Sequence, residues 1–249
     1  MAHSGAKSGT STATLRLAVG DLKIAQPVSV PAGPVRAAQV IPALQGVVNA
    51  LVDAAEKSAV EMGKTISCRK GCGACCRQLV PISRTEGERL LDEIKALPPN
   101  RQQRLREKFA QAEAKIAEAH LFSFSSPPPG GAEKREKTDR KISVAYFALG
   151  IPCPFLEDES CSIHPVRPLV CREYLVTSPA ELCAGAEQDG VAPVAVPKVS
   201  MAARKLQDDS DDWFPLAMLL AWARTRPRDG RKRPGMEWIQ RFVQRLTVR

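Results

Sequence analysis

The chain has 249 residues, 44% of them hydrophobic, a formal net charge of +9 and eight cysteines. That length and apolar content suffice for a real core, in one large domain or two small ones, so folding does not depend on disulfide staples. Met1 to Val19 lack the apolar run of a secretory signal and Trp213 to Trp222 is too short an apolar stretch to span a bilayer, so a soluble, cytoplasmic chain with no membrane segment is expected.

Eight cysteines in a reducing compartment point to metal or redox chemistry instead of a disulfide framework. In chain order, Met1 to Thr12 is small, polar and expected to be disordered. Leu15, Leu17 and Val19, then Gly20-Asp21, then Leu22 and Ile24 alternate around a turn signal, which fits a β-hairpin. Residues 1–37 therefore read as a flexible N-terminal segment carrying a small hairpin. From Val40 the apolar residues Leu44, Val47, Val48, Leu51, Val52 and Ala55 recur on one helical face, ending near Gly63.

That helix delivers the chain to Ser67-Cys68-Arg69-Lys70-Gly71-Cys72-Gly73-Ala74-Cys75-Cys76-Arg77. Cys68, Cys72, Cys75 and Cys76 gain little from ordinary packing in so short a turn-rich segment. They suit metal: thiolate is the ligand form, the flanking cations favour it, and glycines let backbone N–H groups turn toward sulfur.

Ser83-Arg84-Thr85-Glu86 is a capping box opening a helix with Leu90, Leu91 and Ile94 on its buried face. Pro98-Pro99 stops it, and Asn100 with Gln103 caps a second helix bearing Leu105, Phe109, Ala112 and Ile116 inward and its charges toward solvent. Ser123 to Lys141, with three prolines, paired glycines and a mixed charge run, reads as a flexible loop, so 120–143 is taken as a flexible insertion within a cysteine-cluster domain spanning 38–223. The second cysteine group follows as Cys153, Cys161, Cys171 and Cys183. Pro165 and Pro168 forbid regular helix between Cys161 and Cys171, leaving an irregular loop that metal coordination would clamp, because binding free energy at a thiolate site is also folding free energy.

Val191 to Val199 is extended, and Ser210-Asp211-Asp212 is expected to cap a helix carrying Trp213, Phe214, Leu216, Leu219, Leu220 and Trp222 as core residues, with Pro215 in its first turn. Arg224 to Arg249 holds nine Lys or Arg against Asp229 and Glu237. This basic tail, 224–249, ends in an amphipathic helix of Trp238, Ile239, Phe242, Val243 and Leu246, suited to docking on the protein's own core or on an acidic partner. The fold expected is mostly α with long irregular loops: a single helical domain around a cysteine-rich metal centre.

The pattern Cys68-x3-Cys72-x2-Cys75-Cys76, a long insertion, then Cys153-Pro154-Phe155-Leu156, Cys161-Ser162-Ile163-His164, Arg167-Pro168 and Cys171-Arg172 resembles the YkgJ-type cysteine-cluster family, described as zinc- or iron-chelating. Flagellin lysine N-methylases carry a related cluster. The resemblance covers Ser67 to Cys183 and implies that the two cysteine groups converge on one site. Two departures stand out: the first spacing is one residue longer than C-x2-C-x2-C-C, and His164 stands where family members often have tyrosine.

Eight cysteines accommodate two closed four-ligand zinc sites or iron–sulfur clusters, which also take four thiolates. The compact first group, and the difficulty of turning adjacent Cys75 and Cys76 toward one zinc, lean toward iron–sulfur. The C-x3-C-x2-C spacing is also the radical S-adenosylmethionine signature, but no alternating strand–helix series follows it. His164 and Cys171 lack the fixed geometry of a catalytic pair, so His164 is read as a loop residue or a hydrogen-bond donor near the metal. Arg167, Arg172 and Tyr174 either pair with Glu157, Asp158 or Glu173, or support cluster sulfurs or an anionic ligand. The functions in view are an iron–sulfur or zinc protein in redox, metal-handling or maturation work; a protein-lysine N-methylase-like enzyme, as the resemblance implies; and a zinc module on nucleic acid. The last is weakened by the absence of recognition-helix spacing.

Overall fold

The alternation at the N-terminus forms an antiparallel hairpin of β1 (Thr10–Val19) and β2 (Leu22–Pro31), in register from Thr10 opposite Pro31 to Val19 opposite Leu22. The structure, a computed structural model, describes residues 9–122, 132–185, 189–207, 213–225 and 228–247. Gly20 takes φ 59° at the first position of the two-residue turn, where a side chain would be disfavoured. Leu17, Val28 and Val30 face inward and are buried. The described part of the N-terminal segment is thus a packed hairpin and not a loose arm, because one face of its alternation finds an apolar partner.

That partner is α1 (Ile41–Glu61), entered through strand β3 (Pro34–Val35) and a 3-10 turn at Ala37–Val40. Leu44, Val47, Val48 and Leu51 on α1 are fully buried, as the periodicity predicts. The stretch Ala37–Glu61 is long and apolar enough to cross a membrane by length and composition alone. Here its apolar face forms the centre of the main core.

After the first cysteine loop, β4 (Pro81–Ser83) leads into α2 (Arg84–Ala96) and α3 (Pro99–Glu118). The expected capping box forms, with Glu86 N donating to Ser83 Oγ (3.2 Å) and Ser83 N to Glu86 Oε2 (3.1 Å). Next comes α4 (Ala132–Ala148). The expected insertion therefore differs from a continuous loop: residues 123–131 lie outside the described residues, and the charge run at its end is helical. The run propagates into Tyr146, which is buried beside Ile116 and Met218, so packing at the C-terminal end supplies what the charged turns lack.

The second cysteine group opens with a two-residue hairpin of β5 (Leu156–Glu157) and β6 (Ser160–Cys161), followed by α5 (Leu169–Glu173) and α6 (Ser200–Arg204). Residues 208–212, with the expected cap Ser210-Asp211-Asp212, lie outside the described residues. Trp213 and Phe214 are not helical as expected. They lie in β7 (Trp213–Pro215), paired antiparallel with β4, and Pro215 sits in this strand instead of a first helical turn. A two-stranded ribbon has only edges, so its prolines leave no ladder bond unmade on a third strand. Helix follows as α7 (Leu219–Thr225), and Trp222 stacks on Phe214 at 4.4 Å.

The C-terminal segment returns to the start of the chain. Strand β8 (Arg233–Pro234) pairs with β3, and α8 (Gly235–Thr247) buries Trp238, Ile239 and Phe242 in the main core. Of the two roles expected for this helix, its apolar face takes the docking on the protein's own core. Several of its cations are also spent at home: Arg228 pairs with Asp92, Arg231 with Asp229 and Arg233 with Glu237. Fully buried Glu88 ties the ends together, pairing with Arg36 at 3.4 Å and accepting from Asp229 N at 2.8 Å.

Two principal apolar clusters result. One gathers the hairpin, α1, Leu169, Leu206 and α8; the other gathers α2, α3, Phe155, Ile163 and α7. The cysteine loops run between them, with Cys68 packed against the first cluster and Cys153 and Cys161 against the second.

Candidate metal centre

The first cysteine loop has few regular backbone bonds of its own: Cys72 N donates to Arg69 O (3.1 Å) and Cys76 N to Gly73 O (3.0 Å). It is held by the second group instead. Cys153 N donates to Cys76 O at 2.8 Å, Ser67 N to Val176 O at 2.9 Å, and Gln78 Nε2 to the carbonyls of Cys183 and Gly185, both at 3.0 Å. The sequence separation between the groups is closed by main-chain bonds, which any metal bond would reinforce.

Glycine makes one of these approaches feasible. A Cβ on Gly73 would stand 2.5 Å from Glu159 Oε2 and 2.9 Å from Leu156 Cδ1. Asp158 and Glu159, the two turn residues between β5 and β6, both take positive φ (48° and 55°), as this tight turn demands of its central pair. Arg77 clips the turn to the cysteine loop, reaching Glu159 at 3.0 and 2.6 Å while also donating to Gly73 O at 2.9 Å. Gly73→Ala is therefore expected to displace the Glu159 and Leu156 side chains and crowd Glu159 Cα at 3.2 Å, loosening the Arg77 clip at a cost of about 1 kcal/mol. Thermal unfolding and metal content of the variant check this, both being expected to fall.

The loop between Cys161 and Cys171 is anchored from three sides. Leu169 N, the first donor of α5, reaches the buried carboxylate Glu86 Oε1 at 2.8 Å. The capping-box glutamate thus serves two helix N-termini. From α1, Gln45 Nε2 donates to the carbonyls of Val166 and Arg167 (3.1 Å each), and Asn49 Oδ1 accepts from Arg172 Nη1 at 2.9 Å. Sequence reasoning missed Gln45 and Asn49, although an amide set within an apolar helix face, as Gln45 is, signals a buried hydrogen-bonding role.

At the end of α5, Glu173 is buried and accepts from Ser200 N (2.6 Å) and Ser200 Oγ (2.7 Å), fixing α5 to α6. Burial pushes its carboxyl from 4.5 up to about 7, against the two Ser200 bonds. Between those values the folded chain holds a proton that the unfolded chain has released, so stability falls as pH rises through this window. Glu173→Gln keeps the shape and is expected to flatten that slope. Urea unfolding of both proteins at several pH values between about 4.5 and 7 measures it.

The two groups face one cavity of about 1220 Å³, whose wall carries Cys68, Cys72, Cys75, Cys76, Cys153, Cys161 and Cys171. Cys183 is buried, with Tyr174 Oη directed at its Sγ from 3.9 Å. None of the eight cysteines is in a disulfide. Cys75 is the hub: a charge there raises the thiols of Cys68, Cys153, Cys161, Cys171 and Cys183, members of both groups. Among the described residues no three His, Cys, Asp or Glu side chains close on one metal-sized point. The thiols are arrayed around the cavity instead.

Burial pushes the Cys153 thiol up to about 12 and that of Cys171 well above its ordinary value, and Cys75 is raised first by its hydrogen bond with Cys76 and then by burial. Soft thiols, half-buried and free of disulfides, are a donor set for a thiophilic metal, and a metal that binds them must displace their protons. Arg167 opposes this burial at four of the thiols: its charge favours the thiolates of Cys68, Cys75, Cys161 and Cys171, and its buried Nε makes no hydrogen bond.

The other residues singled out in the sequence divide accordingly. Arg172 does not pair with Glu157, Asp158 or Glu173; besides Asn49 it donates to Arg167 O (3.0 Å) and Pro165 O, a buried scaffold for the loop. Burial lowers it to about 10. Tyr174 stands beside Cys183, and His164, largely exposed, lines the cavity with its basicity lowered by partial desolvation and by the charges of Arg167 and Arg172.

A family model, CxxCxxCC, described as a "putative zinc- or iron-chelating domain", matches residues 67–192. No curated protein and no solved structure matches the chain.

Proposed function

Because the chain belongs to the CxxCxxCC family, whose model spans about half of it, we propose that its thiol-lined cavity binds iron as an iron–sulfur centre in a redox, metal-handling or maturation role. The single observation behind this reading is the meeting of both cysteine groups on one cavity wall, with Cys75 common to both.

Metal binding follows from the family and from the donor set; the choice of iron–sulfur over zinc rests on spacing. A structural zinc draws four ligands to about 2.3 Å from one point. Thiols spread around a wide cavity suit a polynuclear cluster, which holds its thiolates farther apart. Bound there, such a cluster would supply a one-electron couple whose potential depends on nearby charge and hydrogen bonds. The chain's own part is to offer the thiols beside Arg167, whose charge favours their thiolates once metal displaces the protons, and to keep the wall largely apolar with Phe155, Ile163 and Leu175.

Anaerobic purification followed by iron, zinc and acid-labile sulfide analysis, with a visible absorption spectrum, tests the reading. Iron with matching sulfide is expected. Zinc without sulfide would replace the cluster by a zinc centre, and protein free of both metals after reconstitution would overturn the metal reading.

A further inference from the structure

We propose that the cavity is also a small-molecule site: it takes an amphipathic organic anion, whose carboxylate or phosphate group sits on Arg167 and whose apolar part lies against the wall beside the thiols. The inference goes beyond metal binding and does not depend on which metal is held.

Arg167 is set into the wall as a cation without a counterion. Its N–H donates to His164 O (3.4 Å) and its carbonyl accepts from Gln45 Nε2 (3.1 Å) and Arg172 Nε (3.0 Å), while Pro168 keeps its backbone extended. The side chain is thus launched from a fixed point. It lines the cavity, yet it does not pair with the carboxylates that the sequence offers: Glu157 goes to Arg101 and Glu173 to Ser200. Among the described residues the Arg167 guanidinium makes no hydrogen bond or ion pair, and its Nε is shut off from solvent without an acceptor. A buried donor left without a partner is costly, and a charged one more so. The terminal nitrogens, which likewise have no partner, are the donors left for a ligand.

The rest of the wall fits an anion with an apolar body. Arg69 and Lys70 from the first cysteine loop and Arg140 from α4 line the same cavity, whereas of its carboxylates, Glu56 and Glu159, the second is held by Arg77. Positive charge is in excess. The wall also carries Val80, Phe155, Ile163, Leu175 and Leu216, apolar surface that a bare inorganic ion would leave unused. At about 1220 Å³ the cavity exceeds the roughly 300–1,000 Å³ usual for a small-molecule cleft, so a metal or a cluster of a few atoms leaves room in it. A guanidinium matches carboxylate and phosphate by the same two-pronged geometry, and that shared chemistry is what Arg167 selects.

Isothermal titration of the anaerobically purified full-length chain with octanoate and with octyl phosphate tests the proposal, octanamide serving as the neutral control. At least one of the two anions is expected to bind, and octanamide about 10–100-fold more weakly, the usual worth of a charge-assisted contact. Arg167→Gln should weaken the anion by a similar factor and leave octanamide unchanged, while Arg167→Lys recovers part of the loss. An Arg167→Gln protein that binds as the parent does, or a parent that prefers neither anion to octanamide, would overturn the proposal. The titration is repeated after chelation of metal. Binding in both states supports a site of its own, whereas binding that appears only after chelation would give Arg167 to the metal centre and overturn it. Protein that carries no metal but binds the anion would fail the metal reading alone. Should the variants not fold, the unaltered protein is labelled with a diazirine-bearing form of each anion and its peptides are mapped. Label on the cavity wall that octanoate or octyl phosphate competes away is expected; label confined to other segments, or none, contradicts the proposal.

Discussion

Replacing Trp238 by Ala is expected to destabilise the protein by about 3–5 kcal/mol, the usual cost of emptying a buried large aromatic site. Against a typical domain stability of about 5–15 kcal/mol, that is enough to unfold much of the population at moderate temperature. The indole is 1% exposed. Its Nε1 donates to Val35 O at 2.9 Å, and the Arg233 guanidinium lies over the ring at 5.5 Å. Around it α8 presses on the hairpin so closely that a Cβ on Gly235 would stand 2.4 Å from Pro31 O. Trp238→Phe retains most of the volume but orphans the Val35 carbonyl, so a smaller loss, about 1–2 kcal/mol, is expected. Urea unfolding of the two variants beside the parent measures both. A Trp238→Ala protein with the parent's midpoint would show that the C-terminal helix is peripheral and free to serve a partner.

The second large effect is on metal. Cys171→Ser is expected to lower the metal content sharply, while leaving the helical content near that of the parent. Changes to groups that merely support ligands cost about 10–100-fold in metal affinity, so loss of a ligand itself should cost more. The surrounding loop should survive, because its anchors are independent of metal: Glu86 at Leu169 N, Gln45 at the carbonyls of Val166 and Arg167, and Asn49 at Arg172. From the sequence, three prolines and sparse apolar residues suggest that coordination alone keeps this stretch folded. The bonds from α1 and α2 supply part of that restraint. Metal analysis and circular dichroism of Cys171→Ser and Cys171→Ala decide the matter. Full metal content in both variants would make Cys171 a buried free thiol.

What was legible in the sequence is what short-range physics writes there. The hairpin turn at Gly20-Asp21, the α1 face from Leu44 to Ala55 and the Ser83–Glu86 capping box all declare themselves by spacing, and all form. Trp213 and Phe214 misled because aromatics near a helix suit a strand equally well, and only the partner β4 decides between them. The charge run before Tyr146 carried no amphipathic pattern, so its helix had to be stabilised by a tertiary contact that composition does not show.

For the centre, the eight cysteines announced the chemistry but not its wiring. That Gln78 holds the Cys183 carbonyl, that Glu86 joins two helix N-termini and that Arg167 favours thiolates of both cysteine groups depend on chain paths between distant segments. Gln45 and Asn49 belong to the same class. Their meaning lies in the carbonyls of Val166 and Arg167 and the guanidinium of Arg172, all more than a hundred positions away in the chain.

The central claim is that thiols from both groups coordinate one metal centre in this cavity. X-ray absorption at the edge of the metal carried by the anaerobically purified full-length chain tests it most directly. A first shell of sulfur alone near about 2.3 Å, with iron–iron scattering beyond it and loss of sulfur ligation in both Cys72→Ser and Cys171→Ser, is the predicted result. A first shell of nitrogen or oxygen, or a sulfur shell unchanged by either substitution, would contradict it.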